Sequence, residues 1–292
     1  MAQPDAEKAQ GGGASHSKAC SRVTEIRPSA GLFDLDLAEF WRFRELLVTL
    51  TVRDIQILYK QAALGAAWAV IQPIFAVAIL SVVFGRVVKL SSGTTPYPLF
   101  AFAAMLLWTY FAEALRRSAT MMVNDAELIR KVYFPRLVMP IAGVIAPLLD
   151  FVLGLVVLII LMAWYSIAPG WRIILAPAFV LMAGLLALSV GLWLGPINVR
   201  FRDIKHTLPF LIQVWMFASP VIYPLSLVPD NLKWIYSLNP MVGAIEGFRW
   251  AVLGFEGVSF LAILIGAALT AALLCGGLVF FRRMERTFAD TI

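Results

Sequence analysis

Val138–Trp164, VMPIAGVIAPLLDFVLGLVVLIILMAW, decides the fold, with Asp150 as its only charge. About 20 apolar residues suffice to cross a bilayer as a helix, and this run exceeds that. On either side lie five further apolar segments: Ala62–Gly85, Tyr97–Leu115, Ile173–Ile197, Thr207–Pro224 and Ser259–Phe281. Tyr97–Leu115 is the weakest, because Glu113 and Arg116-Arg117 close it early. Thr207–Pro224 is short and carries Pro209 and Pro220 near its ends. The expectation is an all-α integral membrane protein with six transmembrane helices, occupying residues 62–292.

Composition agrees. The chain has 292 residues, 61% hydrophobic and 14% charged, whereas a soluble domain is about half apolar and a quarter charged. A disordered chain and a disulfide scaffold are excluded, and a soluble enzyme is disfavoured. The net charge is +6, but the basic residues sit between apolar runs, which points to membrane topology and not to nucleic acid. Cys20 and Cys275 lie far apart, and His16 and His206 are isolated. They form neither a disulfide framework nor a metal site.

Residues 1–36 read as a flexible cytoplasmic tail. The first thirty are polar and hold no apolar core of a signal peptide. Gly11 to Lys18 does not make a phosphate-binding loop: no glycine precedes Lys18, Ala19 follows it, and no strand leads in. Residues 37–61 read as an amphipathic helix. Arg42, Glu45, Thr49, Arg53, Gln56 and Lys60 recur on one face, opposed by Phe40, Phe43, Leu47 and Leu50. A helix of this kind either lies in the membrane interface, its apolar stripe toward acyl chains, or packs on protein. The neighbouring span favours the interface.

Lys and Arg set the orientation. With the N-terminus inside, the inner flanks hold Arg42, Arg44, Arg53, Lys60, Arg116, Arg117, Arg130, Lys131, Arg136, Arg200, Arg202, Lys205, Arg282, Arg283 and Arg286. The outer flanks hold Arg86, Lys89, Arg172, Lys233 and Arg249. That asymmetry predicts cytoplasmic termini.

Two connecting regions carry further signals. Asn124-Asp125-Ala126-Glu127 predicts a capping box opening a short cytoplasmic helix, with Arg130-Lys131 at its basic end and Pro135 stopping it. Within Leu225–Val258, Met241–Leu253 is apolar apart from Glu246 and Arg249, and Asn239-Pro240 supplies a cap and a first-turn proline. This run is too short to span, so it reads as re-entrant or interfacial.

No catalytic constellation stands out. Asp150 inside a span is unfavourable by roughly 2.5–3.5 kcal/mol on insertion scales, so it should face protein or water. Gly191 and Gly195 form a small-residue face for close helix packing. Aromatic residues are more suggestive: Trp68, Phe75, Trp108, Tyr110, Phe111, Trp215, Phe217 and Tyr223 are candidates to line a water-filled path for sugar rings. Each is equally suited to packing a core or an interface belt.

From residue 38 onward the chain resembles the membrane subunits of ABC transporters that export polysaccharides, the O-antigen and teichoic acid exporter permeases. The likeness is carried by Arg53-Asp54, Tyr59-Lys60-Gln61, Leu64-Gly65 through Trp68-Ala69 to Gln72-Pro73, and Asn124 to Pro135. It continues through Asn198 to Ile204, Ser219 to Pro224 and Leu238 to Met241. The resemblance implies a homodimer in the bacterial inner membrane with a channel between subunits, and two separate cytoplasmic ATPase subunits that bind ATP and magnesium. This chain would bind no cofactor and catalyse nothing. Residues 124–134 would be the coupling helix, with Asn124, Asp125, Glu127, Arg130 and Lys131 at the ATPase. Residues 225–258 would be two re-entrant helices near the exit. The cargo would be a lipid-linked glycan, with Arg42, Arg44 and Arg53 as candidate pyrophosphate contacts. Membrane lipids surround it, and no nucleic acid is involved. The alternatives are an ABC permease for lipid or drug export and a membrane glycosyl- or acyltransferase, which would need acidic or histidine clusters on its loops.

Overall fold

A computed structural model describes residues 41, 43–60, 65–87, 95–131, 134–201, 203–255 and 258–291. Among these residues all regular structure is helical. The tail, Arg42, the expected start of the amphipathic helix at 37–40 and the Trp68 side chain lie outside the described part. The helices are α1 (Arg44–Lys60), α2 (Gly65–Leu80, followed by π-helical Ser81–Val87), α3 (Tyr97–Asn124), α4 (Ala126–Lys131), α5 (Val138–Ile145) and α6 (Leu148–Trp164). Then come a 3-10 turn Trp171–Leu175, α7 (Ala176–Arg200), α8 (Ile204–Phe217), α9 (Asp230–Ser237), α10 (Pro240–Leu253) and α11 (Phe260–Thr291).

The decisive stretch is interrupted once. Pro147 has no N–H to continue the ladder, so α5 ends at Ile145 and α6 restarts at Leu148. Asp150 therefore falls in the first turn of α6, half-buried, where the partial positive end of a helix suits a carboxylate. Four helical stretches among the described residues are long and apolar enough to cross a membrane: Tyr97–Asn124, Val138–Trp164, Trp171–Arg200 and Phe260–Glu285. The first and fifth expected spans give shorter helices.

α3 is the hub, packed against α2, α5, α6, α7, α8 and α10. It was expected to stop at Leu115, yet it runs to Asn124. Glu113 accepts from Arg116 Nη2 at 2.6 Å and Arg117 Nε at 2.6 Å. The charges pair along one face, and Ser118, Ala119, Met121 and Met122 stay buried beyond them. α7 lies closely against α3 where Gly191 meets Ser118; a Cβ there would come within 2.6 Å of Ser118 Cβ. Large apolar side chains project outward from α6 (Val152, Val156, Ile159, Ile160), α8 (Phe210, Leu211, Val214) and α11 (Leu261, Leu264). So much exposed apolar surface requires lipid or another subunit.

The apolar stripe of α1 does not face acyl chains. Phe43, Leu47 and Leu50 join Met121, Phe134, Val138, Met139 and Ala142 in one hydrophobic cluster. Packing on protein wins because α5 presents an apolar face directly against it.

Candidate functional site: a seated surface helix and a caged turn

Two polar constructions stand out. The first joins α1 to the loop after α3. Arg53 Nη2 donates to Asp125 Oδ2 at 2.7 Å and to Asp54 Oδ1 at 2.8 Å. Burial here works against the guanidinium charge, but the hydrogen bonds it donates to Asp125 and Asp54 hold the pKa of Arg53 above its ordinary value. Arg53, one of the three pyrophosphate candidates, thus bridges two carboxylates through Nε and Nη2. Of the other two candidates, Arg44 is exposed, its guanidinium 5.6 Å from the Trp41 ring.

The expected capping box is not formed. Asn124 closes α3, and its amide donates to Thr120 Oγ1 at 3.4 Å. The residue before α4 is Asp125, whose backbone carbonyl accepts from Leu128 N–H at 3.0 Å while its side chain holds Arg53. Glu127 pairs with Lys131 at 2.6 Å instead of turning back to the cap. The long-range ion pair outcompetes the local cap. What holds α4 is apolar: Leu128 and Ile129 pack into the clusters beneath, leaving Glu127, Arg130 and Lys131 exposed. Arg136, just beyond, donates to the Glu285 carbonyl at 2.7 Å and ties this loop to the end of α11.

The second construction surrounds the turn after α8. The fifth expected span, Thr207–Pro224, is helical only to Phe217. Non-helical backbone at membrane depth needs substitute partners for its carbonyls, and side chains supply them. Tyr223 donates to Phe217 O (3.0 Å), Asn239 Nδ2 to Ala218 O (3.1 Å), and Tyr97 to Ile222 O (2.8 Å). Arg249 Nη1 reaches Pro220 O and Nη2 reaches Val221 O, both at 2.7 Å. Its Nε donates to Phe100 O at 3.1 Å, and its guanidinium lies 3.5 Å from the Phe100 ring centroid. Arg249 is fully buried. Its carboxylate neighbour Glu246, 3.4 Å away, is buried beside it.

α10 is the element that aims Arg249. Asn239 caps it as expected, accepting from Met241 N–H at 3.1 Å and also from the Trp215 indole at 2.9 Å. Gly254 ends it in the left-handed conformation, φ 68°, which lacks a Cβ penalty only for glycine. Between these ends, Trp250 is the one residue that is not buried. A Cβ at Gly243 would stand 2.7 Å from Ala262 O, so glycine lets α10 cross α11 closely. Arg249 was read as an outer surface charge; it is an interior anchor. The available signal was the Glu246/Arg249 spacing, which puts both charges on one face of an otherwise apolar helix.

The aromatic candidates separate. Trp108, Tyr110 and Phe111 are buried in the subunit's own core, with Phe111 edge-on to Trp215 at 5.0 Å and Tyr110 against Phe151 at 5.6 Å. Trp215 is half-buried, tied to Asn239. Tyr223 is half-buried and shares a 2.8 Å hydrogen bond with Tyr236. Phe75 and Phe217 are exposed. Within the described residues, Trp108, Tyr110 and Phe111 pack against neighbouring helices, while Thr109 of the same segment is exposed.

Residues 45–253 match the family described as ABC-2 type transporter. The chain belongs to the ABC-2 type transporter family. The matched part of this ABC-2 membrane domain runs from α1 to the last residue of α10, so it contains both polar constructions. The O-antigen export system permease protein RfbA of Myxococcus xanthus is 29% identical over 256 residues, 87% of this chain and 98% of its own length. The protein of the same name from Klebsiella pneumoniae is 26% identical, covering 85% and 95%. The polysialic acid transport protein KpsM of Escherichia coli is 27% identical, covering 81% and 92%.

Proposed function

We propose that this ABC-2 membrane domain is the channel-forming permease subunit of an ATP-driven exporter of lipid-linked polysaccharide. The observation that carries the reading is similarity over most of the chain to an O-antigen export system permease protein and to a polysialic acid transport protein. Six spans in the bacterial inner membrane, cytoplasmic termini and a homodimer belong to the same reading. The asymmetry of Lys and Arg supports the orientation, and moving Arg249 to the interior sharpens it.

In this reading α4 is the coupling helix. A separate ATPase subunit, which binds ATP and magnesium, meets the exposed face bearing Glu127, Arg130 and Lys131. The apolar seat of Leu128 and Ile129 and the Arg53–Asp125 pair pass its displacement to α3 and α1. The cargo path runs between two copies, along α2 and α8. These helices expose Phe75 and Phe217, flat surfaces on which sugar rings can slide without tight binding. The caged turn and α9–α10 shape the outer end.

Deletion of the gene, with complementation, tests the reading. Surface glycan should fall while lipid-linked glycan accumulates inside the cell, and the wild-type gene should restore both. Unchanged surface glycan, or a change confined to membrane lipids or drug efflux, would overturn it.

A further inference from the structure

We propose that the groove between α6 and the start of α7 binds an anionic phospholipid, with its acyl chains along α6 and its phosphate on Arg172. The inference needs only that the chain spans a membrane and does not rest on the polysaccharide reading.

The groove encloses about 740 Å³, the size of a small-molecule site. Leu155, Leu158 and Met162 of α6 and Val180 of α7 wall it, and Phe248 and Val252 of α10 form its floor. Its lining follows α6 from Leu148 to Ala163, about 22 Å at the helical rise. It is therefore a long apolar slot that runs along a membrane helix, as acyl chains do.

One end of the slot has a different chemistry. Trp164 and Trp171 are 83% and 73% exposed on either side of the turn, and Tyr165 is exposed beside them. Aromatic residues gathered in this way mark the headgroup level of a bilayer. Ser166, also lining the groove, has φ 56°, the one non-glycine residue in the left-handed region among those described. Its N–H closes α6 on Ala163 O at 3.1 Å and leaves the side chain at the rim. Arg172 adjoins Ile173 of the lining, and its guanidinium lies 5.1 Å from the Trp250 ring centroid. No described carboxylate forms an ion pair with it. An arginine held on an indole, adjoining the slot through Ile173 and without an ion pair to any described carboxylate, has the charge and planar donor geometry for a phosphate.

The test is native mass spectrometry of the purified full chain, titrated with phosphatidylglycerol or phosphatidylcholine at matched concentration. Wild-type protein should retain phosphatidylglycerol about tenfold better, close to the lower end of the range for hydrogen bonds to charged groups. Arg172→Gln should abolish that preference, and Arg172→Lys should keep part of it. Ala163→Trp, an exposed site on the groove wall, should lower retention of both lipids. Thermal melting of each variant checks that it is folded. Equal retention of the two lipids by wild type, or an unchanged preference in a folded Arg172→Gln, would overturn the proposal. So would a disulfide between two copies through Val152→Cys, because a second copy would then fill the groove.

Discussion

Arg53 and Arg249 are the same side chain put to opposite uses. Arg53 sits half-exposed between two carboxylates, Asp54 and Asp125, and joins two surface elements. Arg249 is fully enclosed and spends most of its donors on backbone carbonyls at Phe100, Pro220 and Val221. The first arrangement exchanges water for carboxylates at little net gain, because exposed ion pairs are worth about 0–1 kcal/mol. The second replaces backbone partners that an interrupted helix cannot supply, and its removal strands several polar groups together. Surface pairs can therefore be remade during a motion, whereas the interior anchor holds the turn after α8 in place.

The largest effect is expected at the anchor. Arg249→Met should destabilise the protein by about 3–5 kcal/mol, since it leaves a buried carboxylate and unpaired carbonyls. Thermal melting in detergent reads this out. The double variant Arg249→Met/Glu246→Gln should recover part of the loss, and no recovery would show that the carbonyls alone set the cost. Asn239→Ala comes next. It removes a cap, worth about 0.5–2 kcal/mol, together with bonds to Ala218, Ser219 and the Trp215 indole. A drop in melting temperature larger than a lone cap explains would confirm the cage as a unit.

At the other pole, Arg53→Gln should shift stability by no more than about 1 kcal/mol yet reduce glycan export in cells. Raising salt should weaken the wild-type pair, screened beyond about 3 Å at 1 M, and leave the Arg249 anchor unmoved. A stability loss as large as that of Arg249→Met would erase the distinction between the two sites. The smallest stability effect belongs to the charge reversal Arg130→Glu/Lys131→Glu, because both side chains are exposed on α4. It should melt like wild type while weakening ATPase association and export. Normal assembly and export in a correctly inserted double variant would remove these side chains from coupling.

How much of this was readable depended on the range of the forces. α10 was legible because its signals are local: Asn239 caps, Pro240 starts, and the run between is apolar. The apolar stripe of α1 was legible as a stripe, but its target was not, since period alone does not separate lipid from protein. The length of α3 was not legible, because Glu113 pairs with both Arg116 and Arg117 and so offsets part of the cost that each charge would carry alone. The capping box failed for a long-range reason: Asp125 bonds to Arg53, 72 positions away. The cage was missed because its donors come from Tyr97, Asn239 and Arg249, positions that only the fold brings to one turn. Close packing at Gly191 was foreseen; its partner Ser118 was not.

The join between α3 and α4 has a mechanical consequence. A single residue, Asp125, separates the short helix α4 from α3, the hub of the described helices. Force applied at α4 enters α3 with almost no slack, and α3 grips six neighbours along its length. Close packing of this kind transmits strain with little compression. Compliance is left to α8, in which only Leu208 and Ile212 are buried, so a push at the inner face should emerge as a swing of α8 about its caged end.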